Sequence, residues 1–159
     1  PLADLHGRVV DSSTEGFARA MEISCHSFAR LARSCEPLMA DGGSLITMSY
    51  LGSQQAVEHY GMMGPVKAAL ESLVRYMALE LGPRRIRVHA VSPGPMPTRA
   101  ASGLEDFADL MQEARARSPL GRLVTLDEVG ALAAFLVSPA ASGMTGQTLY
   151  VDAGDHATR

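Results

Sequence analysis

The stretch that decides the fold begins with seven consecutive residues, Ser44-Leu45-Ile46-Thr47-Met48-Ser49-Tyr50. This mostly apolar run predicts a buried strand over 44–49, followed by a turn at Gly52-Ser53. From about Gly64 to Leu81 the apolar residues recur at three- and four-residue steps, which predicts an amphipathic helix. A buried strand that leads into such a helix is the repeating unit of parallel α/β sheets.

The remainder of the chain alternates helices and strands in the same way. The sequence predicts further helices at about 15–39, within 96–117 and at 126–138, and strands at 86–91 and 147–151. Ser13 or Thr14 is the expected N-cap of the first helix, and Thr125 with Glu128 forms a capping box before the last. The expected fold class is α/β, a Rossmann-like doubly wound parallel sheet with helices on both faces.

Composition excludes several classes of function. The 159 residues are 47% apolar, enough for a single domain with a core, and no apolar run approaches the roughly 20 residues of a membrane helix. A net charge of −3 gives no reason to expect nucleic acid or a membrane surface as a partner. The histidines show no metal-ligand spacing, so we expect no metal.

The two cysteines point to a reducing compartment. Cys25 and Cys35 lie ten residues apart in one predicted helix, which separates them by about 15 Å, too far for a disulfide. Both thiols are expected to be packing residues. Because the chain has no CxxC pair and no signal segment, a cytoplasmic location is expected.

One tyrosine and one lysine are the leading candidates for chemistry. Lys67 comes seven residues after Tyr60, so on a helix the two would lie two turns apart on one face. They follow the carboxyl end of the predicted strand, where open α/β sheets bind ligands. Pro65 lies between them, and proline is tolerated only in the first turn of a helix, so the helix is expected to begin near Gly64.

Four stretches together resemble the short-chain dehydrogenase/reductase superfamily, and more narrowly the NADH-dependent enoyl-acyl-carrier-protein reductases of bacterial fatty acid synthesis. They are Tyr50-Leu51-Gly52 with Tyr60–Lys67, Arg75–Gly82 with Ile86–Val88, Ser92–Gly103, and Met144–Gln147 with Val151–Gly154. Most members of the superfamily, ketoacyl reductases included, use Tyr-x3-Lys, which this sequence lacks. A Tyr-x6-Lys spacing with a second tyrosine ten residues upstream is characteristic of the enoyl reductases.

The resemblance implies reduction of a trans-2-enoyl thioester carried by acyl carrier protein, with hydride from NADH or, as the open alternative, NADPH. It implies that Tyr60 donates to the thioester oxygen, and that Lys67 binds the nicotinamide ribose and lowers the pKa of the phenol. Tyr50 is expected to line the acyl pocket or assist donation, with plain core packing left open. The nicotinamide and pyrophosphate would be bordered by Met96, Pro97, Thr98, Arg99 and Ala100. A homotetramer is also implied.

The resemblance covers only the later part of the family's fold. In the family the cofactor's pyrophosphate rests on a glycine-rich turn that opens a helix, and here Gly42-Gly43 precedes a strand instead. We therefore expect 1–159 to be the C-terminal part of one such domain of about 250 residues, without its glycine-rich part.

Two other functions stay open from the sequence alone. One is another reductase of the superfamily, acting on a carbonyl substrate, which an assay with acyl substrates would separate. The other is a truncated, non-catalytic interaction module, which the coding sequence upstream of Pro1 would test.

Overall fold

The computed structural model describes residues 7–96 and 107–158, and its centre is a three-stranded parallel sheet. The strands are β1 (Gly43–Met48), β2 (Ile86–Pro93) and β3 (Gln147–Val151), in the spatial order β1-β2-β3. Both pairs of neighbours run parallel, with Leu45 opposite Val88 and Val91 opposite Leu149. The predicted parallel α/β sheet is confirmed.

The first helical segment confirms the predicted long helix, although its winding changes along the way. It consists of α1 (Thr14–Met21), a π-helical turn (Glu22–His26), α2 (Ser27–Cys35) and a 3-10 turn (Glu36–Leu38). The predicted cap is present, since the Ser13 side chain accepts a hydrogen bond from the backbone N–H of Gly16 at 3.0 Å.

Three more helices follow, at the places that the periodicity predicted. They are α3 (Met63–Leu81), α4 (Phe107–Arg117) and α5 (Leu126–Val137). The capping box before α5 is formed in both directions. The backbone N–H of Glu128 donates to Thr125 Oγ1 at 3.3 Å, and that of Thr125 donates to Glu128 Oε2 at 2.8 Å.

Side chains along β2 point alternately to the two faces of the sheet, and a hydrophobic core lies on each face. Ile86, Val88 and Ala90 pack in one cluster with side chains of α3 and of the first helical segment. Val91 packs on the opposite face in a second cluster with side chains of α5. Helices therefore cover both faces of the described sheet, as predicted.

Arg87 joins the second layer to the sheet. Its Nη1 donates to the carbonyl oxygens of Leu136 at 2.5 Å and Ala141 at 3.0 Å, and its Nη2 donates to that of Ser138 at 3.3 Å. Carbonyls at the end of a helix have no partner within the helix and carry partial negative charge, so a cation there is favourable. The guanidinium thereby fixes the C-terminus of α5 against β2.

Among residues 7–96 and 107–158, no helix is both long enough and apolar enough to cross a bilayer. Within the same ranges Cys25 and Cys35 are both free thiols, in agreement with the prediction that they form no disulfide.

His89 is the one histidine fully buried in the described sheet, at 0% exposure. Neither ring nitrogen has a hydrogen-bond partner with normal geometry among the described residues. Burial lowers the pKa of His89 and the charge of Arg87 adds to this, while the backbone of Met144 opposes it. His89 is therefore neutral at neutral pH, the form that burial favours.

We expect this histidine to weaken the fold in mild acid. Its folded pKa lies below the unfolded value of about 6.5, so the unfolded chain takes up the proton first as the pH falls. The free energy of unfolding of the intact protein should be insensitive to His89 above about pH 7 and should fall below about pH 6.5, by at most about 1.4 kcal/mol per pH unit from this group.

Denaturant unfolding from pH 7.5 to pH 5 on His89→Gln measures this contribution. The variant should lose less stability over that interval than the parent, whatever its stability at pH 7.5. His26→Gln, a change at an exposed histidine, should keep the parent's slope. An undiminished slope in His89→Gln would contradict the assignment.

Candidate active site

The candidate residues gather around the segment that joins β1 to α3. Tyr50 follows β1 in extended backbone, at φ −158°, and Leu51–Ser53 then form a 3-10 turn. Tyr60 lies later in the same segment, and Lys67 lies in the second turn of α3. All three therefore lie beyond or beside the carboxyl end of β1, the edge where ligands bind in open parallel sheets.

The two tyrosines pack against each other. Their ring centroids are 4.7 Å apart with an interplanar angle of 57°, within the range of favourable aromatic pairs. Gly52 allows this arrangement, because a Cβ at that position would lie 2.4 Å from Cδ1 and 2.7 Å from Cε1 of Tyr60. The ring of Tyr60 is thus held between the ring of Tyr50 and the backbone of the Leu51–Ser53 turn.

The prediction that Tyr60 and Lys67 share one helix face is wrong for Tyr60. The helix begins at Met63, which puts Pro65 in its first turn as expected and leaves Tyr60 in the preceding turn. His59 and Gly61, on either side of Tyr60, have φ values of 59° and 53°. These left-handed conformations end any helical path through Tyr60. The lysine reaches the site from α3, and the tyrosine reaches it from the loop.

The expected lowering of the tyrosine's pKa is also wrong. Burial raises the pKa of Tyr60 far above its usual range, and the neighbouring Tyr50 raises it further. Lys67 is not among the causes of the shift. Tyr60 therefore keeps its proton at neutral pH, and its hydroxyl acts as a hydrogen-bond donor.

Lys67 is tied to the end of β1. Its Nζ donates to the carbonyl oxygen of Met48 at 2.8 Å, and Met48 is the only acceptor it reaches among the described residues. An ammonium has three N–H donors, so two are available for a ligand. Burial lowers the pKa of Lys67, while Cys25 and Glu71 oppose that shift.

Sequence reasoning missed the buried carboxylate of Glu71. It is 1% exposed, one turn after Lys67 on α3. Its Oε1 accepts from Ser49 Oγ and Ser53 Oγ, each at 2.5 Å, and its Oε2 accepts from Gln54 Nε2 at 2.7 Å. The available signal was its position, since it lies between Leu70 and Val74 on the apolar stripe.

Cys25 is a second neighbour that the sequence assigned to packing alone. It is buried in the π-helical turn, and burial raises the pKa of its thiol while the charge of Lys67 lowers it. Its packing role is confirmed, because it belongs to the core cluster beside α3. The structure adds that this part of the core borders the lysine.

The predicted cofactor-contacting residues are described only in part. Met96 is buried in the core cluster on the α5 face, so its backbone is the part left to border a ligand. The other four, Pro97, Thr98, Arg99 and Ala100, lie outside the described residues. Within the described ranges, no group of three or more His, Cys, Asp or Glu side chains could hold a metal ion.

Ser92 is a further polar group near the carboxyl ends of the strands. It lies in β2, next to Val91, whose carbonyl accepts a 2.7 Å bond from the N–H of Ser49. The Ser92 hydroxyl is buried and has no hydrogen-bond partner among the described residues. A buried polar group without a partner calls for one. The two free donors of Lys67, by contrast, suit a ligand with hydroxyl groups.

Comparisons of the chain with known proteins agree on one family. A family model described as enoyl-(acyl carrier protein) reductase matches residues 1–156. Enoyl-acyl-carrier-protein reductase (NADH) 1 of Rhizobium meliloti is 46% identical over 153 residues, covering 96% of this chain and 56% of that protein. The NADPH enzyme of Staphylococcus aureus strain MRSA252 is 44% identical over 158 residues, covering 99% of this chain and 62% of that protein.

A solved structure agrees with these relatives. The Bacillus cereus enoyl-acyl carrier protein reductase, crystallised with NADP+ and an indole naphthyridinone, superposes with a TM-score of 0.95 at 43% identity. The match covers 98% of this chain and 61% of that one. The chain therefore spans less than two thirds of the length of the relatives it matches.

Proposed function

The chain belongs to the enoyl-acyl-carrier-protein reductase family, and from this premise we propose that the protein reduces a trans-2-enoyl thioester carried by acyl carrier protein, a step of fatty acid synthesis. The observation that carries the proposal is the grouping of Tyr50, Tyr60 and Lys67 at the carboxyl end of β1. The grouping combines a protonated phenol with a cation, which suits a reaction that develops negative charge on an oxygen.

We propose NADH as the cofactor, with NADPH as the alternative, since relatives of both kinds match the chain. The free donors of Lys67 suit the ribose hydroxyls. The backbone at Met96 and, from the sequence, residues 97–100 would border the nicotinamide and pyrophosphate. When bound, the cofactor supplies the hydride that reduces the β-carbon of the thioester.

The chain's own contribution is to stabilise charge on the substrate. As the β-carbon is reduced, negative charge develops on the thioester oxygen, and the Tyr60 hydroxyl donates a hydrogen bond to it. Burial supports this role, because it keeps the phenol protonated. Tyr50, packed on the Tyr60 ring, holds that ring in place and lines the acyl pocket.

We also propose that the protein assembles as a homotetramer. The helices beside the first core cluster expose several large apolar side chains, namely Ile23, Leu31, Tyr76 and Leu79. Tyr76 is 65% exposed and Leu79 is 76% exposed, on adjacent turns of α3. Such side chains suit burial against a second copy of the chain.

We further propose that the protein is located in the cytoplasm, because the free thiols of Cys25 and Cys35 suit a reducing compartment.

Replacing the candidate donor tests its role. In the intact enzyme, Tyr60→Phe should lower kcat by about 10²–10³, the usual cost of losing one oxyanion donor, and should leave NADH affinity nearly intact. Steady-state kinetics with an enoyl thioester and a fluorescence titration with NADH measure the two effects. Tyr76→Phe, the same change at a tyrosine of the proposed subunit interface, keeps the aromatic ring that would be buried there and should behave as the parent. Unchanged turnover in Tyr60→Phe would transfer the role to Tyr50.

The lysine should affect cofactor binding and turnover together. Lys67→Ala removes the donors assigned to the ribose, so the Kd for NADH should rise and kcat should fall. Lys67→Arg keeps the charge but replaces a compact ammonium by a planar fork, so it should restore the function only in part. Arg75→Ala, at an exposed position of the same helix, serves as the control. Parent-like NADH affinity in Lys67→Ala would exclude the ribose assignment.

A charge on the exposed apolar face should weaken assembly. Leu79→Glu would place a carboxylate in the proposed interface, where its desolvation is unfavourable, and should shift the intact protein to smaller species in sedimentation velocity. Leu126→Glu makes the same change at a leucine of α5 that is 67% exposed, and should leave the assembly unchanged. A Leu79→Glu variant that sediments as the parent does would remove this face from the interface.

A further inference from the structure

The carboxylate of Glu71 contacts both ends of the turn that carries Tyr50. Ser49 immediately precedes Tyr50, and Ser53 and Gln54 follow it within four residues. All three side chains donate to the one carboxylate, at 2.5, 2.5 and 2.7 Å. The turn between them includes Gly52, against which the Tyr60 ring is packed. A single side chain of α3 therefore fixes the segment that positions both tyrosines.

Packing alone does not account for a charge at this position. A buried carboxylate carries a desolvation penalty, and an apolar residue would suit the neighbouring Leu70 and Val74. Hydrogen bonds to an ionised acceptor are short and about twice as strong as neutral ones, so three of them hold the turn firmly. The charge thus stabilises one geometry of the turn rather than the core as a whole.

The same carboxylate acts on the lysine. Lys67 and Glu71 are four residues apart on α3 and so lie on neighbouring turns of one face. The negative charge of Glu71 raises the pKa of Lys67, against the effect of burial. Glu71 is therefore coupled to all three candidate groups, by hydrogen bonds to the tyrosine turn and by charge to the lysine.

We propose that Glu71 is a positioning residue of the reductase site, which fixes the Tyr50 turn against Tyr60 and places a carboxylate one helical turn from Lys67. Glu71 touches neither substrate nor cofactor in this account. It acts through Tyr50, Tyr60 and Lys67, so the proposal rests on the proposed function for its effect on turnover. Its effect on Lys67 can be measured without substrate or cofactor.

The decisive variant is Glu71→Gln, which keeps the shape of the side chain and removes the charge. In the intact enzyme, kcat should fall by about tenfold to a hundredfold, the cost of a small misplacement of reacting groups. In the cofactor-free protein, the side-chain ¹³C signal of Lys67, assigned by its loss in Lys67→Arg, should titrate at lower pH than in the parent. Glu80→Gln makes the same change at an exposed position of α3, and should leave both quantities unchanged.

Results of the opposite kind would overturn the proposal. A folded Glu71→Gln enzyme with parent-like kcat and an unmoved Lys67 titration would show that Glu71 serves packing only. A parent protein that reduces no enoyl thioester would contradict the proposed function alone. In that case the Lys67 titration decides the proposal, because a shift in Glu71→Gln supports it and no shift overturns it.

Two milder variants decide the matter if Glu71→Gln does not fold. Ser53→Ala and Gln54→Ala each remove one donor from the turn and leave the carboxylate in place. Each should lower kcat by about threefold to tenfold, as expected for the loss of one hydrogen bond of about 1 kcal/mol, while the melting temperature stays close to that of the parent. Parent-like kcat in both variants would overturn the proposal.

Discussion

The candidate site depends on the hydrogen bonds that one buried carboxylate, that of Glu71, accepts from the segment after β1. Glu71 is buried, and the segment after β1 presents two hydroxyls and an amide to its carboxylate. These hydrogen bonds set the place of Tyr50, and the close approach of Gly52 then sets the place of the Tyr60 ring. The position of the tyrosines thus depends on an interaction made by neither of them.

Burial also shifts the pKa values of the two candidate groups, Tyr60 and Lys67, and it acts on them in opposite directions. It raises the pKa of Tyr60 and lowers that of Lys67, since in each case the charged form is disfavoured. The phenol therefore keeps its proton at neutral pH, whereas burial and nearby groups act in opposite directions on the pKa of the ammonium. Cys25 and Glu71 both raise the pKa of Lys67 against the effect of burial, and the bond to the carbonyl of Met48 fixes the position of the ammonium.

Periodic features of the sequence predicted the fold well, because burial on one face leaves a regular trace. The strands, α3, and α5 with its Thr125 cap follow from apolar spacing and capping chemistry. The π-helical turn at Glu22–His26 was not predicted, because one altered turn hardly changes the three- and four-residue spacing of apolar residues.

The sequence indicated which residues are candidates for the site, but it predicted their geometry less well. Their spacing indicated Tyr60 and Lys67 as candidates. The left-handed backbone at His59 nevertheless places Tyr60 outside the helix, and a histidine at that position does not predict such a conformation. The donors to Glu71 lie 17 to 22 residues away along the chain, so only the folded turn brings them to the carboxylate.

A crystal structure of the intact protein with NADH and an unreactive enoyl-thioester analogue would test the central claim most directly. We expect the Tyr60 hydroxyl to donate to the thioester oxygen and Lys67 Nζ to donate to the ribose hydroxyls. We also expect Ser49, Ser53 and Gln54 still to donate to Glu71. A thioester oxygen bound by another donor, with Tyr60 turned into the core and Lys67 away from the ribose, would contradict it.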